Sequence, residues 1–319
     1  MAASCDSDPL SEDSVTVTID PSHAIADRTV IATTEAQPTE PAHRAVTVIE
    51  PSRGLVALRL GEVWEYRELL YFLAWRDVKV RYKQTALGIL WIILQPVVSI
   101  VIFSLLFGGL LKVPSGDVPY PLFALAALIP WNYFTGSLTR ASQSLVQSAN
   151  LITKVYFPRL IIPVSGVIGG LVDFAVSMLV LAALLVYYRV PLTPTVLMLP
   201  FFLLLAMLTA LGFGLWLSAL NVRYRDVGYL VPFLLQMWMY VTPVVYSASL
   251  VPEQYRFILA LNPMTAVVEG FRWSLLGSAM SVSQATPVVF VISLVMLAAV
   301  VGSGLVFFRR TERTFADVV

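Results

Sequence analysis

Long segments that carry almost no charge dominate the sequence beyond Lys83. A helix needs about 20 mostly apolar residues to cross the hydrocarbon of a bilayer, and each of these segments reaches that length. The segments are 87–111, 118–139, 160–188 with Asp173 inside it, 190–222, 227–252 and about 284–308. The sequence therefore predicts an all-α membrane protein with six transmembrane helices.

The composition excludes several other classes of protein. Hydrophobic residues make up 58% of the chain and charged residues 13%, against roughly a half and a quarter in soluble domains. The formal net charge of +1 gives no basic field for phosphates, so no nucleic acid partner is expected. Cys5, His23 and His43 all precede the apolar body, which excludes a cysteine or histidine metal site there.

Charge and apolar content divide the chain into three regions. Residues 1–58 predict a disordered cytoplasmic tail, because they bury too little apolar surface to offset the entropy of ordering. A short strand at 15–19 or 46–49 is the alternative. The acidic, polar start lacks the basic and apolar parts of a secretory signal. Residues 59–84 predict an amphipathic interfacial helix, and 85–319 a transmembrane domain.

The interfacial helix is expected to carry its charges along one side. At 100° per residue, the charged side holds Glu65, Glu68, Arg76, Lys79 and Lys83, and the other holds Val63, Tyr66, Leu70, Leu73, Trp75 and Val78. Such a helix fits the cytoplasmic surface of a membrane, with its aromatic side chains at headgroup depth. A helix packed on a soluble partner is the alternative.

Lysine and arginine residues predict the orientation. The inner segments carry Arg67, Arg76, Lys79, Arg81, Lys83, Arg140, Lys154, Arg159, Arg223, Arg225, Arg309, Arg310 and Arg313. The outer segments carry Lys112, Arg189, Arg256 and Arg272. Because basic residues concentrate on the cytoplasmic side, both termini are expected in the cytoplasm of a multi-pass plasma (inner) membrane protein.

The segment between the fifth and sixth spans fits neither a span nor a free loop. Its uncharged part, 257–268, is too short to cross a bilayer and contains Asn262-Pro263. The pattern predicts a helical hairpin that enters the outer leaflet, with its irregular backbone shielded by protein. Glu269 and Arg272 share a face and can pair with each other or meet hydroxyl-rich cargo.

The sequence contains no energy-converting motif. No phosphate-binding loop of the form G-x-x-x-x-G-K-[ST] occurs. Within the predicted spans the only ionisable acid or base is Asp173, whereas proton-driven carriers need a relay of such groups. Asp173 is interpreted as a helix-packing or interfacial group. If the chain pumps, another chain supplies the energy, and no cofactor is expected in this one.

The inner segment 140–159 is long for a simple connection between spans. Leu145, Ile152, Val155 and Tyr156 are expected to form an apolar stripe on a short helix. Such a stripe fits a groove on a soluble partner. A helix resting on the bilayer is the alternative.

Six blocks of sequence stand out, several of them richer in polar residues than hydropathy requires. They are RDVKVRYKQTALGILWIILQP (76–96), PYPLFALAALIPWNYF (119–134), NLITKVYFPRLIIP (150–163), LWLSALNVRYRDV (215–227), QMWMYVTPVVYS (236–247) and LNPMTAVVEGFRWSLLG (261–277). Together and in this order they resemble the membrane subunit of polysaccharide-exporting ABC transporters of the ABC-2 type, over about residues 60–319. The cargo of that family is a lipid-linked O-antigen, capsule or teichoic acid.

The resemblance implies a homodimer with two copies of a separate ATPase subunit, in which ATP and Mg²⁺ would act. It implies that 62–82 is the family's interfacial helix and that 253–280 holds its outward gate helices. Candidate gate residues are Asn262, Pro263, Glu269 and Arg272. It also implies a coupling helix, whose candidate residues are Asn150, Lys154, Val155, Tyr156, Phe157, Pro158 and Arg159. A fixed plug is the alternative to a moving gate.

Two further sets of residues are candidates for binding the cargo. Aromatic side chains pack on the C–H faces of sugars, and the candidates for a glycan conduit are Trp131, Tyr133, Phe134, Trp238, Tyr240 and Tyr246. An interfacial aromatic belt is the alternative. Basic side chains attract lipid phosphates, and the candidates for a lipid headgroup site are Arg76, Lys79, Arg81 and Lys83. Positive-inside anchoring is the alternative.

The function expected from these observations is ATP-driven export of a lipid-linked polysaccharide. An ABC-2 exporter of a small amphiphile or drug is the alternative within the same class. A membrane-embedded transferase acting on lipid-linked sugar needs an acid/base pair, whereas Asp77, Asp117, Asp226 and Glu269 are scattered over both faces. A passive channel is the third class, and it would need no ATPase.

Overall fold

The computed structural model describes residues 60–83, 90–111, 118–277, 287–312 and Phe315. The predicted tail, 1–58, lies outside these residues. The described part is helical and contains no strand, which confirms the all-α prediction for it. Its α-helices are α1 (Leu60–Glu65), α2 (Arg67–Lys83), α3 (Leu90–Phe103), α4 (Tyr120–Gln147), α5 (Ala149–Lys154), α6 (Ile161–Ile168), α7 (Leu171–Tyr187), α8 (Leu199–Arg223), α9 (Val227–Val241), α10 (Arg256–Leu261), α11 (Pro263–Leu276) and α12 (Pro287–Glu312).

Shorter helical turns connect some of these helices. The first helix of the membrane domain, α3, continues as the π-helix Ser104–Leu110. Three 3₁₀ turns are Pro194–Met198, Ala248–Leu250 and Glu253–Tyr255. The interfacial helix, expected to be continuous over 62–82, is divided into α1 and α2 by a turn at Tyr66.

Four helical segments are long and apolar enough to cross a membrane. They are Ile93–Leu110, Ile161–Tyr187, Pro194–Arg223 and Val288–Glu312, and they coincide with the first, third, fourth and sixth predicted spans. The helix in the second position, α4, has 28 residues but carries polar residues in its second half. The helix in the fifth position, α9, has 15 residues. The chain is therefore a multi-pass membrane protein, with four helical segments of this kind among the described residues.

The central helix of the bundle is α4. It is buried along nearly its whole length and packs against α3, α6, α7, α8, α9 and α11. Small residues permit the closest approach: a Cβ atom on Gly214 of α8 would lie 2.7 Å from the Cβ of Ala141 in α4, so only glycine fits there. At 1.5 Å per residue α4 is about 42 Å long, and its two ends define the α11 end and the α5 end of the bundle.

A separate apolar cluster lies at the α5 end. Its buried members are Leu73, Leu145, Ile152, Phe157, Leu160, Ile161, Ile162, Leu215, Ala219, Val222, Phe308 and Phe315. They come from α2, from the end of α4 through the start of α6, from α8, and from the C-terminal part of the chain. This α5-end cluster therefore fixes α2 and the segment 140–159 to the spans.

Candidate functional site

The predicted coupling segment is divided between buried and exposed side chains. Phe157 is 5% exposed and lies in the α5-end cluster, whereas the neighbouring Tyr156 is 78% exposed. Val155 is also exposed, and Ile152 is buried. The prediction that residues 145, 152, 155 and 156 form one apolar stripe is therefore wrong, because the first two are buried and the last two are exposed. Helix α5 ends at Lys154 and Val155 is extended, so the helical period does not continue to the last two positions.

Other residues of the coupling segment hold it in place or face outward. The side chain of Arg159 donates a hydrogen bond to the carbonyl of Glu312 and lies 6.0 Å from the Phe315 ring centroid. The side chains of Asn150 and Lys154 are exposed, and Pro158 is half-buried. Val155 and Tyr156 are thus exposed on a segment in which Ile152 and Phe157 pack in the α5-end cluster.

A buried asparagine of α8 joins the C-terminal part of α4 to the first turn of α9. Asn221 is 4% exposed. Its Nδ2 donates to the carbonyl of Ser142 at 3.0 Å, and its Oδ1 accepts from the backbone N–H of Gly228 at 3.1 Å. The sequence analysis missed this residue, although a polar amide at the end of the uncharged run 190–222 was an available signal.

Two of the four predicted headgroup residues already have carboxylate partners. Arg81 lies 2.6 Å from Asp173 of α7, and Arg76 lies 2.9 Å from its neighbour Asp77. Lys79 and Lys83 are exposed. Because Arg81 already has a carboxylate partner, Lys79 and Lys83 are the members most open to an incoming anion.

Asp173 is the centre of a polar group that joins three helices. Besides Arg81, it accepts a hydrogen bond from the Tyr82 hydroxyl and lies 3.5 Å from Arg140 of α4. Burial, followed by the hydrogen bond to Asp173, raises the pKa of Tyr82, so the phenol stays protonated and donates. Arg140 also donates to the Gly166 carbonyl and the Ser137 hydroxyl, both at 3.0 Å. The helix-packing interpretation of Asp173 agrees with this arrangement.

At the α11 end, the chain stops being helical inside the core. Residues 242–245 are buried, and the turns that follow α9 leave their carbonyl groups without helical partners. The guanidinium of Arg272, in α11, donates to three carbonyls of residues 243–246. The acceptors are Pro243 (2.7 Å), Val244 (2.5 Å) and Tyr246 (3.2 Å). The Tyr120 hydroxyl of α4 donates to a fourth, the carbonyl of Val245, at 2.9 Å.

Arg272 is fully buried, with 0% of its surface exposed. It lies 3.1 Å from Glu269, so the predicted pairing of these two residues is present. Its Nε also donates to the Phe123 carbonyl at 3.3 Å, and its guanidinium lies 3.8 Å from the Phe123 ring centroid. The side chain of Arg272 is enclosed by protein, so in this structure none of its N–H groups is accessible to cargo.

The break between α10 and α11 lies against the break after α9. Asn262 caps α11 by accepting from the N–H of Met264 at 3.0 Å, and Pro263 is the first residue of that helix. The Asn262 amide also donates to the Thr242 hydroxyl at 2.8 Å. A side-chain hydrogen bond thus holds the two irregular pieces of backbone together inside the protein, where lipid does not reach them.

The six conduit candidates do not line one surface. Trp131, Tyr133 and Phe134 are buried inside the core, and Phe134 packs edge-on against Trp238 with ring centroids 5.3 Å apart. The Tyr133 hydroxyl donates to the Val167 carbonyl at 3.1 Å. The hydroxyl of the half-buried Tyr246 lies 3.3 Å from the Tyr240 carbonyl. Tyr240 itself is 64% exposed, so it is the conduit candidate most open to a ligand.

A model of the family described as ABC-2 type transporter matches residues 68–276. The chain belongs to this family. The matched part of this ABC-2 chain runs from α2 to α11, so it includes the coupling segment, the Asp173 group and the Arg272 group. ABC-2 chains are transport subunits, and this one is accordingly a transport permease rather than an enzyme.

Individual relatives extend the comparison. The chain is 31% identical to the O-antigen export system permease protein RfbA of Myxococcus xanthus over 214 residues, which cover 66% of this chain and 81% of the relative. It is 26% identical to RfbA of Klebsiella pneumoniae over 254 residues, or 79% of this chain and 95% of the relative. It is 25% identical to the polysialic acid transport protein KpsM of Escherichia coli over 202 residues, or 61% and 76%.

The structure offers this ABC-2 chain no metal centre among the residues that it describes. No group of three or more histidine, cysteine, aspartate or glutamate side chains is placed to hold an ion in that part of the chain.

Proposed function

We propose that the chain is the membrane subunit of an exporter that moves a lipid-linked polysaccharide outward across the plasma membrane. The observation that carries the proposal is its similarity to O-antigen export permeases over 81% and 95% of their length. The similarity to a polysialic acid transport protein supports a polysaccharide over a small amphiphile. O-antigen, capsule and teichoic acid types remain within this cargo class.

The energy comes from a separate subunit in this proposal. A homodimer of the chain binds two copies of an ATPase, which holds ATP and Mg²⁺. The exposed Val155 and Tyr156 stand next to the packed Phe157 and Ile152, which gives an apolar contact on a firm base. An apolar contact of this kind fits a groove on a soluble subunit.

Six spans with both termini in the cytoplasm complete the proposed topology. The second span is α4, whose polar second half is screened from lipid by surrounding helices. The fifth is α9, about 22 Å long, extended by the irregular residues 242–246. Helix α9 is shorter than the hydrocarbon core, which is roughly 30 Å thick. The hydrogen bonds from Arg272 support the non-helical residues that follow it.

The remaining site residues take these roles in the proposal. Lys79 and Lys83, with Arg76, attract the phosphate of a lipid-linked glycan at the inner surface. Tyr240 contacts sugar in the conduit, backed by the buried aromatic residues. The hairpin of α10 and α11 closes the outer end of the path and is displaced when glycan passes.

Reconstitution tests the proposal. The chain and its ATPase, co-purified and placed in vesicles, should move a lipid-linked polysaccharide only when ATP is present. Transport by the chain without an ATPase or nucleotide would contradict it. ATP-driven movement of small amphiphiles without any movement of glycan would support the alternative exporter.

Matched tyrosine variants test the coupling surface. Tyr156→Ser should abolish ATPase co-purification, because it removes the exposed apolar contact. Tyr187→Ser is the control: it removes a tyrosine of similar exposure, 76%, from the far end of α7. Equal ATPase binding by both variants would place the coupling contact elsewhere.

A further inference from the structure

The two helices of the outer hairpin are attached to the bundle very differently. In α11, nearly every residue is buried, and the helix packs against α4, α8 and α12. In α10, Phe257 is 60% exposed, and Ile258 and Leu261 are also exposed. The two helices of the hairpin therefore differ in how extensively they pack against the bundle: α11 is almost fully buried, and α10 is half exposed.

Arg272 makes the attachment of α11 specific. Its hydrogen bonds reach the backbone of α4 at Phe123 and the turns after α9 at Pro243, Val244 and Tyr246. Withdrawing α11 would break these bonds together and leave the buried carbonyls of Phe123, Pro243 and Val244 without their donor. Such groups are costly to bury without partners, so displacement of α11 during transport is strongly opposed.

Further contacts make α11 part of the same body. The Thr195 hydroxyl, in the turn before α8, donates to the Ser274 carbonyl at 3.0 Å. Asn262 holds the first turn of α11 to Thr242. A Cβ atom on Gly270 would lie 2.0 Å from the Phe202 ring, so the surface of α11 is closely matched to α8.

The attachment of α10 is slighter. It has six residues and is preceded by the 3₁₀ turns Ala248–Leu250 and Glu253–Tyr255. The Ser293 hydroxyl of α12 donates to the Ala260 carbonyl at 2.9 Å. Apart from its neighbours in sequence, α10 packs mainly against one helix, α12. Shifting it would uncover Leu259 and Ala260, its two buried side chains, whereas α11 is held by three helices.

We propose that Arg272 is a positioning residue that holds α11, residues 242–246 and α4 as one fixed body, and that α10 alone moves when the outer end opens. This inference rests on the proposed function, in which the hairpin closes the outer end of the glycan path. It divides that hairpin into a fixed helix, α11, and a mobile helix, α10.

Two intramolecular disulfides test the division in a Cys5→Ser background. The first pair, Thr195→Cys with Ser274→Cys, locks α11 to the turn before α8. The second pair, Ala260→Cys with Ser293→Cys, locks α10 to α12. Both pairs replace residues that already meet through a side-chain-to-carbonyl hydrogen bond, so each is the matched control for the other.

The readout is ATP-driven glycan export by the complete complex, before and after reduction. With the first pair oxidised, export should stay within about twofold of the reduced protein. With the second pair oxidised, export should fall at least tenfold and return on reduction. ATPase binding should be unchanged in both, which a general loss of structure would not allow.

The outcomes separate the inference from the function. Inhibition by the first disulfide, or normal export with the second, overturns the assignment of fixed and mobile helices. Normal export with both shows a fixed plug and also overturns it. If the Cys5→Ser parent exports no glycan with ATP, the proposed function is wrong, and the inference falls with it.

Discussion

Arg81 and Asp173 lie 2.6 Å apart, and this pair joins α2 to the first turn of α7. Tyr82 and Arg140 contact the same carboxylate, so one aspartate links α2 to two helices of the bundle, α4 and α7. Asp173 is therefore the point at which α2, α4 and α7 are held together.

Replacing this aspartate should loosen α2. We expect Asp173→Asn to lower the free energy of unfolding by about 1–3 kcal/mol, because it leaves Arg81 and Arg140 without their shared counter-charge. Thermal unfolding of the detergent-purified protein measures the effect. The control is Asp77→Asn, whose partner Arg76 is more exposed and should contribute at most about 1 kcal/mol. An equal decrease in the free energy of unfolding for both variants would show that Asp173 contributes no more to stability than an exposed ion pair does.

Neighbouring residues of the coupling segment should respond differently to the same change. We expect Phe157→Asp to destabilise the protein by about 3 kcal/mol or more, because it puts a charge into the α5-end cluster. Tyr156→Asp should leave the melting temperature nearly unchanged and abolish ATPase binding. Melting curves and co-purification with the ATPase separate the two effects. Loss of stability in both variants would mean that Tyr156 is packed rather than presented.

The pair Arg272 and Glu269 should be asymmetric. Arg272→Met leaves Glu269 and four backbone carbonyls without their donor, and we expect a loss of about 3–5 kcal/mol. Glu269→Gln should cost less, because Arg272 keeps its carbonyl acceptors. The double variant shows whether the two effects are coupled. A larger loss for Glu269→Gln than for Arg272→Met would contradict the role given to the backbone contacts.

The buried amide of Asn221 should matter for coupling. Asn221→Ala removes the link between the Ser142 carbonyl and the Gly228 N–H, so we expect less glycan exported per ATP hydrolysed, by about tenfold. The control is Gln147→Ala, which removes an exposed amide that bonds within its own helix to Gln143. Transport and ATP hydrolysis measured on the same vesicles give the ratio. An unchanged ratio in Asn221→Ala would show that the link does not transmit motion.

Exposed lysines should affect capture of anionic lipid without affecting the fold. We expect the double variant Lys79→Gln and Lys83→Gln to weaken binding to vesicles that carry a phosphorylated polyprenyl lipid, with melting temperature unchanged. The matched control is Arg81→Gln, which should lower stability because Arg81 is held by Asp173. Unaltered lipid binding in the lysine variant would favour anchoring by positive charge alone.

The amino-acid sequence by itself determined the class of the protein and much of its organisation. Uncharged segments as long as 190–222 leave only a helical membrane protein as a stable solution, because lipid offers no partner for backbone polar groups. The interruption at Asn262-Pro263 was also visible, since proline fixes where a helix begins. The order of polar blocks along the chain identified the family.

Tertiary structure decided which side chains are available. Tyr156 and Phe157 are adjacent aromatic residues, and their opposite burial depends on helices distant in sequence that form the α5-end cluster. Arg81 looked like a free surface charge until Asp173, 92 residues away, was placed beside it. Arg272 gains its role from carbonyls left unpaired where α9 ends. Hydropathy is a local property, whereas burial and hydrogen-bond partners are set by long-range packing, so only the fold could assign them.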